Sequence, residues 1–239
     1  MSTTPAVIAI DGPAASGKST VGKLVARKLG FLLFDTGALY RAVTLAALTR
    51  GIPVDDEERI EDLARSIHID LIPATQNDGR PYTVLVDGED VTWGIRSEAV
   101  DAHVSTVSAY PGVRQALKKQ QRRIAQKGGV VMLGRDIGTV VFPEAPLKVY
   151  LDASPQERAR RRCEELQARG EAADYEAILA GVRHRDEIDS TRATAPLKIA
   201  PDAQVIHTDH LTIEQVVDAI VRLARERMAH TAPSTLSRQ

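Results

Sequence analysis

The 239-residue chain has a single cysteine, Cys163, so it cannot form an internal disulfide. It also lacks any apolar stretch near the roughly 20 residues that a membrane-spanning helix needs. The first residues, MSTTPAV, have neither the basic start nor the apolar run of a secretory signal. We therefore expect a cytoplasmic protein that does not act at a membrane.

The sequence also has little net charge and few aromatic residues. Its 31 Lys and Arg residues balance 32 Asp and Glu residues, which gives a formal net charge of -1, and only 4% of the residues are aromatic. A balanced chain has no overall attraction for nucleic acid. The basic run of Lys118, Lys119, Arg122 and Arg123 has no interleaved aromatics, which favours a solvated helix face over a nucleic-acid surface. Any anion binding must therefore be local.

What the sequence does contain is an alternation of short apolar runs with segments of helical periodicity. Buried strands are predicted at residues 6–10, 31–34 and 147–151, an apolar run lies at residues 130–133, and a further strand is predicted at residues 204–207. Helices are predicted at residues 36–50 and 212–228, and others start near Val21, at Pro111 and at Ser154. Capping boxes mark the helix starts at Ser154 and Thr212. The alternation predicts an α/β fold with helices on both faces of a parallel sheet.

Residues 67–93 differ in character from the rest of the chain. Ile67, Ile69 and Leu71 alternate with polar residues, and residues 82–86 are strongly β-forming. Asn77-Asp78-Gly79 and Asp87-Gly88 are typical of hairpin turns. We predict a small antiparallel insertion within a single domain that spans residues 1–229. Residues 230–239 are polar and aperiodic, and we predict a disordered tail there.

The most specific motif is a G-x-x-x-x-G-K-S segment that lies between a predicted strand and a predicted helix. Its glycines would let backbone N–H groups approach a polyphosphate, and the following helix would add its positive end. Lys18 would reach the β- and γ-phosphates, and the Ser19 hydroxyl suits Mg²⁺. The motif predicts an ATP or GTP site formed by Gly12, Pro13, Ala14, Ala15, Ser16, Gly17, Lys18, Ser19 and Thr20.

Nucleotide binding alone fits either a kinase or a regulatory GTPase. A GTPase would be supported by a guanine-reading N/T-K-x-D segment, which the sequence lacks. A kinase whose acceptor is itself a phosphate must overcome repulsion between two polyanions, and arginines converging on one cleft would do so. It needs no strong base, because a phosphate monoester is largely dianionic at neutral pH.

Five arginines are candidates for such a cleft, and for each of them a solvated helix face is the alternative. They are Arg41, Arg114, Arg135, Arg185 and Arg192. A kinase for UMP, or for a small phosphate-free metabolite such as shikimate, also remains open. A hydroxyl acceptor would need activation and would not need so many arginines.

Longer motifs narrow this choice. They are Ile10-Asp-Gly-Pro, Asp35-Thr-Gly-Ala-Leu-Tyr-Arg41, Gly134-Arg-Asp-Ile-Gly-Thr-Val-Val-Phe-Pro143, Leu151-Asp-Ala-Ser and Arg192-Ala-Thr-Ala-Pro-Leu197. Over nearly its whole length the chain resembles the bacterial cytidylate kinases, a family of nucleoside monophosphate kinases with the P-loop NTPase fold. The resemblance implies transfer of the γ-phosphoryl of ATP to CMP or dCMP with Mg²⁺. We expect a monomer with no nucleic-acid or membrane partner.

The resemblance also implies roles for individual residues. Arg41, Arg135 and Arg192 fall where the family holds the acceptor phosphate, Ser105, Arg114 and Asp136 where it reads cytosine, and Arg185 and Asp189 where the ribose binds. Thr36 falls at a further acceptor contact, although it is equally suited to cap the next helix. The Asp136 carboxylate can accept from the amino group of cytosine and would repel the O4 carbonyl of uracil.

Residues 154–172 resemble the helical lid of the family. Arg158, Arg161 and Arg162 share one helix face and would close over the transferring phosphoryl. The alternative is a solvated face with ion pairs to neighbouring glutamates. Catalytic roles are expected for Lys18, Arg135, Arg192, Arg158 and Arg161. Asp35 or Asp11 would orient magnesium-bound water or, alternatively, serve as a turn or capping carboxylate.

Overall fold

The computed structural model describes residues 5–168 and 170–229, so the predicted tail at residues 230–239 lies outside the described residues. In chain order the elements are β1 Val7–Asp11, α1 Lys18–Leu29, β2 Leu32–Asp35, α2 Gly37–Thr49, α3 Glu57–Ser66, β3 Ile69–Ile72, β4 Thr83–Val86, β5 Glu89–Asp90, a 3₁₀ helix Gly94–Arg96, α4 Glu98–Val107, α5 Pro111–Ala125, β6 Val130–Gly134, a π-helical segment Ile137–Val141, β7 Leu147–Asp152, α6 Pro155–Ala168, α7 Tyr175–Thr191, β8 Gln204–His207 and α8 Ile213–Ala229. No helix within these ranges is both long and apolar enough to span a membrane.

The main sheet confirms the predicted α/β class. Its five strands are ordered β2-β6-β1-β7-β8, and all four neighbouring pairs are parallel. Successive residues of β1 enter opposite cores, because Val7 and Ala9 pack with α2 to α5 while Ile8 and Ile10 pack with α1 and α8. This two-sided burial explains why the central strands are continuous apolar runs.

One strand prediction was wrong in its burial. Residues 31–34 were expected to be a buried strand, but β2 is an edge strand in which Leu32 is 40% exposed. An apolar run does not by itself indicate the position of a strand in the sheet. The edge position nevertheless leaves Asp35 at the carboxyl end of the sheet, next to the end of β6.

The antiparallel insertion is confirmed as a three-stranded sheet of β3, β4 and β5. Asp87 and Gly88 have φ values of 50° and 88°, which suits a tight turn between β4 and β5. The segment around Asp78 belongs instead to a ten-residue loop, residues 73–82. There Arg80 is buried and pairs with Asp78 and with Asp90, at 2.6 and 2.5 Å.

The two predicted capping boxes differ in the structure. At α8 both halves form, because Gln215 N donates to Thr212 Oγ1 at 3.2 Å and Thr212 N donates to Gln215 Oε1 at 2.8 Å. At α6 only the Ser154 half forms, since the Ser154 N–H donates to Asp209 and not to Glu157. Glu157 is bound instead by Arg160 and Arg161. The Glu157 side chain therefore binds arginines of α6 near the loop after β8 instead of the helix terminus.

Helix α1 packs against β6 at a glycine, and this gives a prediction. A Cβ on Gly22 would lie 2.6 Å from Leu133 Cδ2 in the buried core, whereas one on the exposed helical Gly181 would meet nothing within 4 Å. We expect Gly181→Ala to raise the free energy of unfolding by about 0.5–1 kcal/mol. Gly22→Ala should lower it by about 1 kcal/mol, because overpacking outweighs helix propensity. Chemical denaturation of both variants checks this, and equal stabilisation by the two substitutions would contradict it.

Candidate active site

A cavity of about 820 Å³ opens at the carboxyl ends of the parallel strands. It is lined by residues that follow β1, β2, β6 and β8, together with side chains from α2, α4, α5, α6 and α7. Ligands of open α/β sheets bind at this edge, because the loops that leave the strands converge there. Among the described residues, ten lysine or arginine side chains and six carboxylates line it, although the whole chain carries a net charge of -1.

Residues 14–21, most of the predicted nucleotide-binding loop, line one side of this cavity. Gly17 has φ 90° immediately before α1, a conformation that favours glycine. Gly12 and Pro13 do not line the cavity. Gly12 is required for another reason than the one expected from the sequence, because a Cβ there would overlap the carbonyl oxygen of Leu151 on β7. Close packing of the loop on the sheet, rather than approach to a phosphate, explains this glycine.

Lys18 is buried at the base of the loop. Its Nζ donates to the Pro13 carbonyl at 2.5 Å and to Ser16 Oγ at 3.2 Å. Burial lowers the pKa of Lys18 well below its usual value, and the positive charge of Arg135 lowers it further. A phosphate group bound in the loop would oppose both effects, so the surroundings of Lys18 favour a bound anion.

The five candidate arginines come together at the other side of the cavity, although they belong to segments far apart in sequence. Two carboxylates lie among them. Asp136 Oδ2 accepts from Arg114 Nη2 at 2.6 Å, and Asp189 Oδ2 accepts from Arg135 Nε at 2.8 Å. Arg192 is shared, with Nη2 3.8 Å from Asp136 and Nη1 3.5 Å from Asp189. The solvated-face alternative therefore does not apply to Arg114 or Arg192, which are buried.

Several of these guanidinium groups keep buried N–H donors without a hydrogen-bond partner in the described structure. They are Arg114 Nε, Arg185 Nε and Arg192 Nη2. Burial together with repulsion from Arg135 lowers the pKa of Arg185 to about 10. Burial and repulsion from Arg114 likewise lower the pKa of Arg192. Buried cations with free donors are costly, so this cluster is built to be completed by an anionic ligand.

Among the remaining predicted contacts, Thr36 lines the cavity and Ser105 does not. Thr36 occupies the N-cap position of α2, but its hydroxyl donates to the Leu133 carbonyl at 2.7 Å and makes no capping hydrogen bond. Ser105 lies on α4 between two lining residues, Val104 and Ser108. Its contact with the acceptor stays a prediction.

Comparison with known proteins identifies the group to which this site belongs. The sequence matches the Cytidylate kinase family over residues 8–226. The chain belongs to the cytidylate kinase family. The cytidylate kinase of Limosilactobacillus fermentum is 52% identical over 214 residues, which cover 89% of this chain and 92% of that protein. The cytidylate kinase of Geobacillus thermodenitrificans is 50% identical over 221 residues, covering 92% and 97%.

A longer relative is the bifunctional pantoate ligase/cytidylate kinase of a Synechococcus species. It is 50% identical over 230 residues, which cover 96% of this chain but only 42% of that protein. The resemblance noted from the motifs is thus confirmed at the level of the cytidylate kinase family.

The residues predicted to form a lid in this cytidylate kinase-family chain separate into two groups. Arg160, Arg161 and Arg162 line the cavity. Arg161 also crosses to the loop after β8, where it donates to the Thr208 carbonyl at 2.7 Å. Arg160 and Arg162 also form exposed ion pairs with glutamates of the same helix, as the solvated-face alternative predicts.

Arg158 differs from its neighbours because it is 2% exposed and does not line the cavity. Its guanidinium binds Asp186 of α7 through two hydrogen bonds of 2.9 and 2.5 Å. It also donates to the carbonyls of Ala153 and Ala14, at 2.9 and 3.1 Å. Arg158 therefore connects α6, α7 and the predicted nucleotide-binding loop, and these contacts do not support its predicted contact with the transferring phosphoryl.

The two carboxylates considered for magnesium have different surroundings. Asp11 accepts from the N–H groups of Ile137 and Gly138, both at 2.8 Å, and burial raises its pKa to about 6. It therefore anchors the π-helical segment. Asp35 instead lies beside the predicted magnesium ligand, with Oδ2 3.4 Å from Ser19 Oγ. Hydroxyl and carboxylate oxygens suit Mg²⁺, which usually combines few protein ligands with substrate phosphates.

Some lining residues were not predicted from the sequence. Tyr40 lies within a recognised motif, and the Arg114 guanidinium stacks 5.2 Å from the centroid of its ring. Arg96 comes from the 3₁₀ helix after the insertion. Leu211, Ile213 and Val216 form an apolar end of the cavity near the start of α8. Tyr40 could have been predicted only from its motif. For the other four residues, no pattern in the sequence indicates that they line a site.

The contacts of Arg158 give a prediction that separates positioning from direct catalysis. Asp186→Asn removes the carboxylate that binds the buried guanidinium and should lower the free energy of unfolding by about 2–4 kcal/mol. The KM for ATP should also rise, because the Arg158 contact with Ala14 loosens. Denaturation and steady-state kinetics check both effects, with the adjacent exposed Glu187→Gln as control. A lower kcat with unchanged stability and unchanged KM would instead indicate a direct role for Arg158.

Proposed function

We propose that this chain transfers the γ-phosphoryl of ATP to CMP or dCMP, giving ADP and CDP or dCDP. The observation that carries the proposal is one continuous cavity in which a nucleotide-binding loop faces a cluster of incompletely satisfied arginines. Such a cluster suits an acceptor that is itself an anion, and the chain belongs to the cytidylate kinase family.

The donor end is proposed to bind ATP through residues 14–20. Backbone N–H groups and the N-terminus of α1 surround the polyphosphate, and Lys18 contacts the β- and γ-phosphates. Ser19 and Asp35 would hold Mg²⁺ directly or through water, and the ion would neutralise charge on the β- and γ-phosphates. The apolar surface of Leu211 and Ile213, which are 40% and 47% exposed, suits the adenine ring.

The acceptor end is proposed to bind the cytidine nucleotide with residues from five segments. Arg41, Arg135 and Arg192 hold the phosphate; Arg114 and Asp136 read the cytosine edge; Arg185 and Asp189 bind the ribose; Thr36 lies beside them. Ser105 would join them only after an inward movement of α4. Arg114 binds Asp136 through Oδ2, whereas Oδ1 lies 3.8 Å from Arg192 Nη2, beyond hydrogen-bond distance, and would accept from the amino group of cytosine.

Catalysis in this proposal consists of positioning and charge neutralisation. The acceptor phosphate attacks in line with the leaving ADP, and no covalent enzyme intermediate forms. Arg135 lies close enough to Lys18 to depress its pKa, so both cations act on the region between the two substrates. Arg161 and Arg162 from the lid exclude water and add positive charge as the transition state forms.

The direct test offers ATP and Mg²⁺ with a panel of nucleoside monophosphates and hydroxyl acceptors, including UMP and shikimate. We expect ADP formation to depend on CMP or dCMP, with the other acceptors much slower. Lys18→Ala should lower turnover by about 10²-fold or more, because it removes a cation from the transferring group. Faster turnover with a hydroxyl acceptor, or near-normal turnover by Lys18→Ala, would contradict the proposal.

Selectivity between bases gives a further prediction. Asp136→Asn replaces an acceptor-only carboxylate with an amide that can also donate to the O4 carbonyl of uracil. The ratio of kcat/KM for CMP to that for UMP should fall by about tenfold or more. Asp189→Asn is the matched control, since Asp189 also pairs with Arg192 but is proposed to bind the ribose. It should lower both kcat/KM values and leave their ratio nearly unchanged.

A further inference from the structure

The 3₁₀ helix that follows the antiparallel insertion brings one additional arginine, Arg96, to the acceptor end of the cavity. Most arginines that line the cavity are paired with carboxylates, as Arg41 is with Asp101 and Arg135 with Asp189. No carboxylate of the described residues pairs with Arg96. Its guanidinium instead lies 5.9 Å from the centroid of the Trp93 ring, an exposed cation–π contact of low strength. The charge of Arg96 is therefore available for a ligand.

The position of Arg96 is fixed by contacts on both sides. On the cavity side, Arg41 Nη1 donates to the carbonyl of Ile95, the residue before Arg96, at 3.0 Å. On the insertion side, Trp93 Nε1 donates to Asp78 at 2.9 Å, and Asp78 is bound by the buried Arg80. Arg96 thus extends from a braced segment that is directly connected to a proposed phosphate-binding residue.

The electrostatics place Arg96 and Arg41 in one region. Burial and the nearby Asp35 carboxylate raise the pKa of Tyr82, while the positive charges of Arg96 and Arg41 both act to lower it. The two guanidinium groups therefore act on the same buried hydroxyl. Because the Arg96 side chain is long and exposed, it can turn from the Trp93 ring toward an anion beside Arg41.

We propose that Arg96 is a further binding residue for the acceptor phosphate, which it reaches by leaving its stacked position on Trp93. This inference rests on the proposed function, since it names an additional contact for the same acceptor. A charge-assisted contact with a dianion is stronger than an exposed cation–π contact. Binding of the acceptor therefore favours movement of the Arg96 side chain from the Trp93 ring to the phosphate. The 3₁₀ helix that follows the insertion then contributes a positive charge to the site.

Trp93 is the only tryptophan in the chain and is 51% exposed, so its fluorescence reports directly on the stacked arginine. In the full-length protein, CMP should change this fluorescence in a saturable manner, whereas ATP alone should not. Arg96→Gln should alter the starting fluorescence and abolish most of the response to CMP. A wild-type signal that is insensitive to saturating CMP would overturn the proposal.

Kinetics provide the second measurement. Arg96→Gln should raise the KM for CMP about tenfold and weaken the salt dependence of kcat/KM for CMP, with little change in kcat or in the KM for ATP. Arg96→Lys should recover much of the loss because it restores the charge. Arg123→Gln, which removes an exposed arginine outside the cavity, is the matched control and should behave as wild type.

The outcomes distinguish this inference from the proposed function. Normal CMP turnover with an unchanged KM in Arg96→Gln overturns the role of Arg96 and leaves the proposed function intact. A loss of thermal stability in Arg96→Gln, together with equal changes in the KM for ATP and the KM for CMP, would assign Arg96 a structural role. That result would also overturn its role in acceptor binding. If the wild-type protein does not phosphorylate CMP or dCMP, the proposed function is wrong, and the role of Arg96 in acceptor binding, which rests on it, is wrong as well.

Discussion

Mutual repulsion among guanidinium groups is the constraint on which this site depends. Bringing Arg114, Arg135, Arg185 and Arg192 together in a partly buried cleft is unfavourable without compensation. Asp136 and Asp189 supply part of that compensation by lying between the arginines. The compensation is incomplete, as the depressed pKa values of Arg185 and Arg192 and their unpartnered donors indicate. The remaining positive charge is what an anionic acceptor can use.

The fold makes this concentration of charge possible by supplying the arginines from separate rigid elements. Arg135 follows β6 at the carboxyl edge of the sheet, and α7 carries Arg185 and Asp189 and ends beside Arg192. Helix α7 is itself fixed to the nucleotide-binding loop through Asp186 and Arg158. The elements that hold the arginine cluster are therefore connected directly to the loop that is proposed to bind the donor. A site assembled in this way keeps its cations close even though they repel one another.

The sequence predicted those features that local physics determines. The G-x-x-x-x-G-K-S loop, the apolar strands and the Thr212 cap depend on neighbouring residues, and the structure has them where they were expected. Prediction from the sequence failed where the position of a side chain depends on partners that are distant in the sequence. Arg158 was expected at the phosphoryl but is bound by Asp186, and Arg96 was not recognised because only the folded 3₁₀ helix after the insertion brings it to the cavity. Burial of β2 was also misjudged, since an apolar run does not reveal its place in the sheet.

The proposed donor and acceptor sites are also linked through charge. After burial, Arg135 of the arginine cluster makes the largest electrostatic contribution to the depressed pKa of Lys18. An anion at either end therefore reduces the repulsion that the cation at the other end experiences. Because interactions between partly buried charges are only weakly screened, this linkage persists at physiological ionic strength. The two substrates repel each other in water. In the site, however, binding of either one reduces the repulsion between Lys18 and the arginine cluster, and this favours binding of the other.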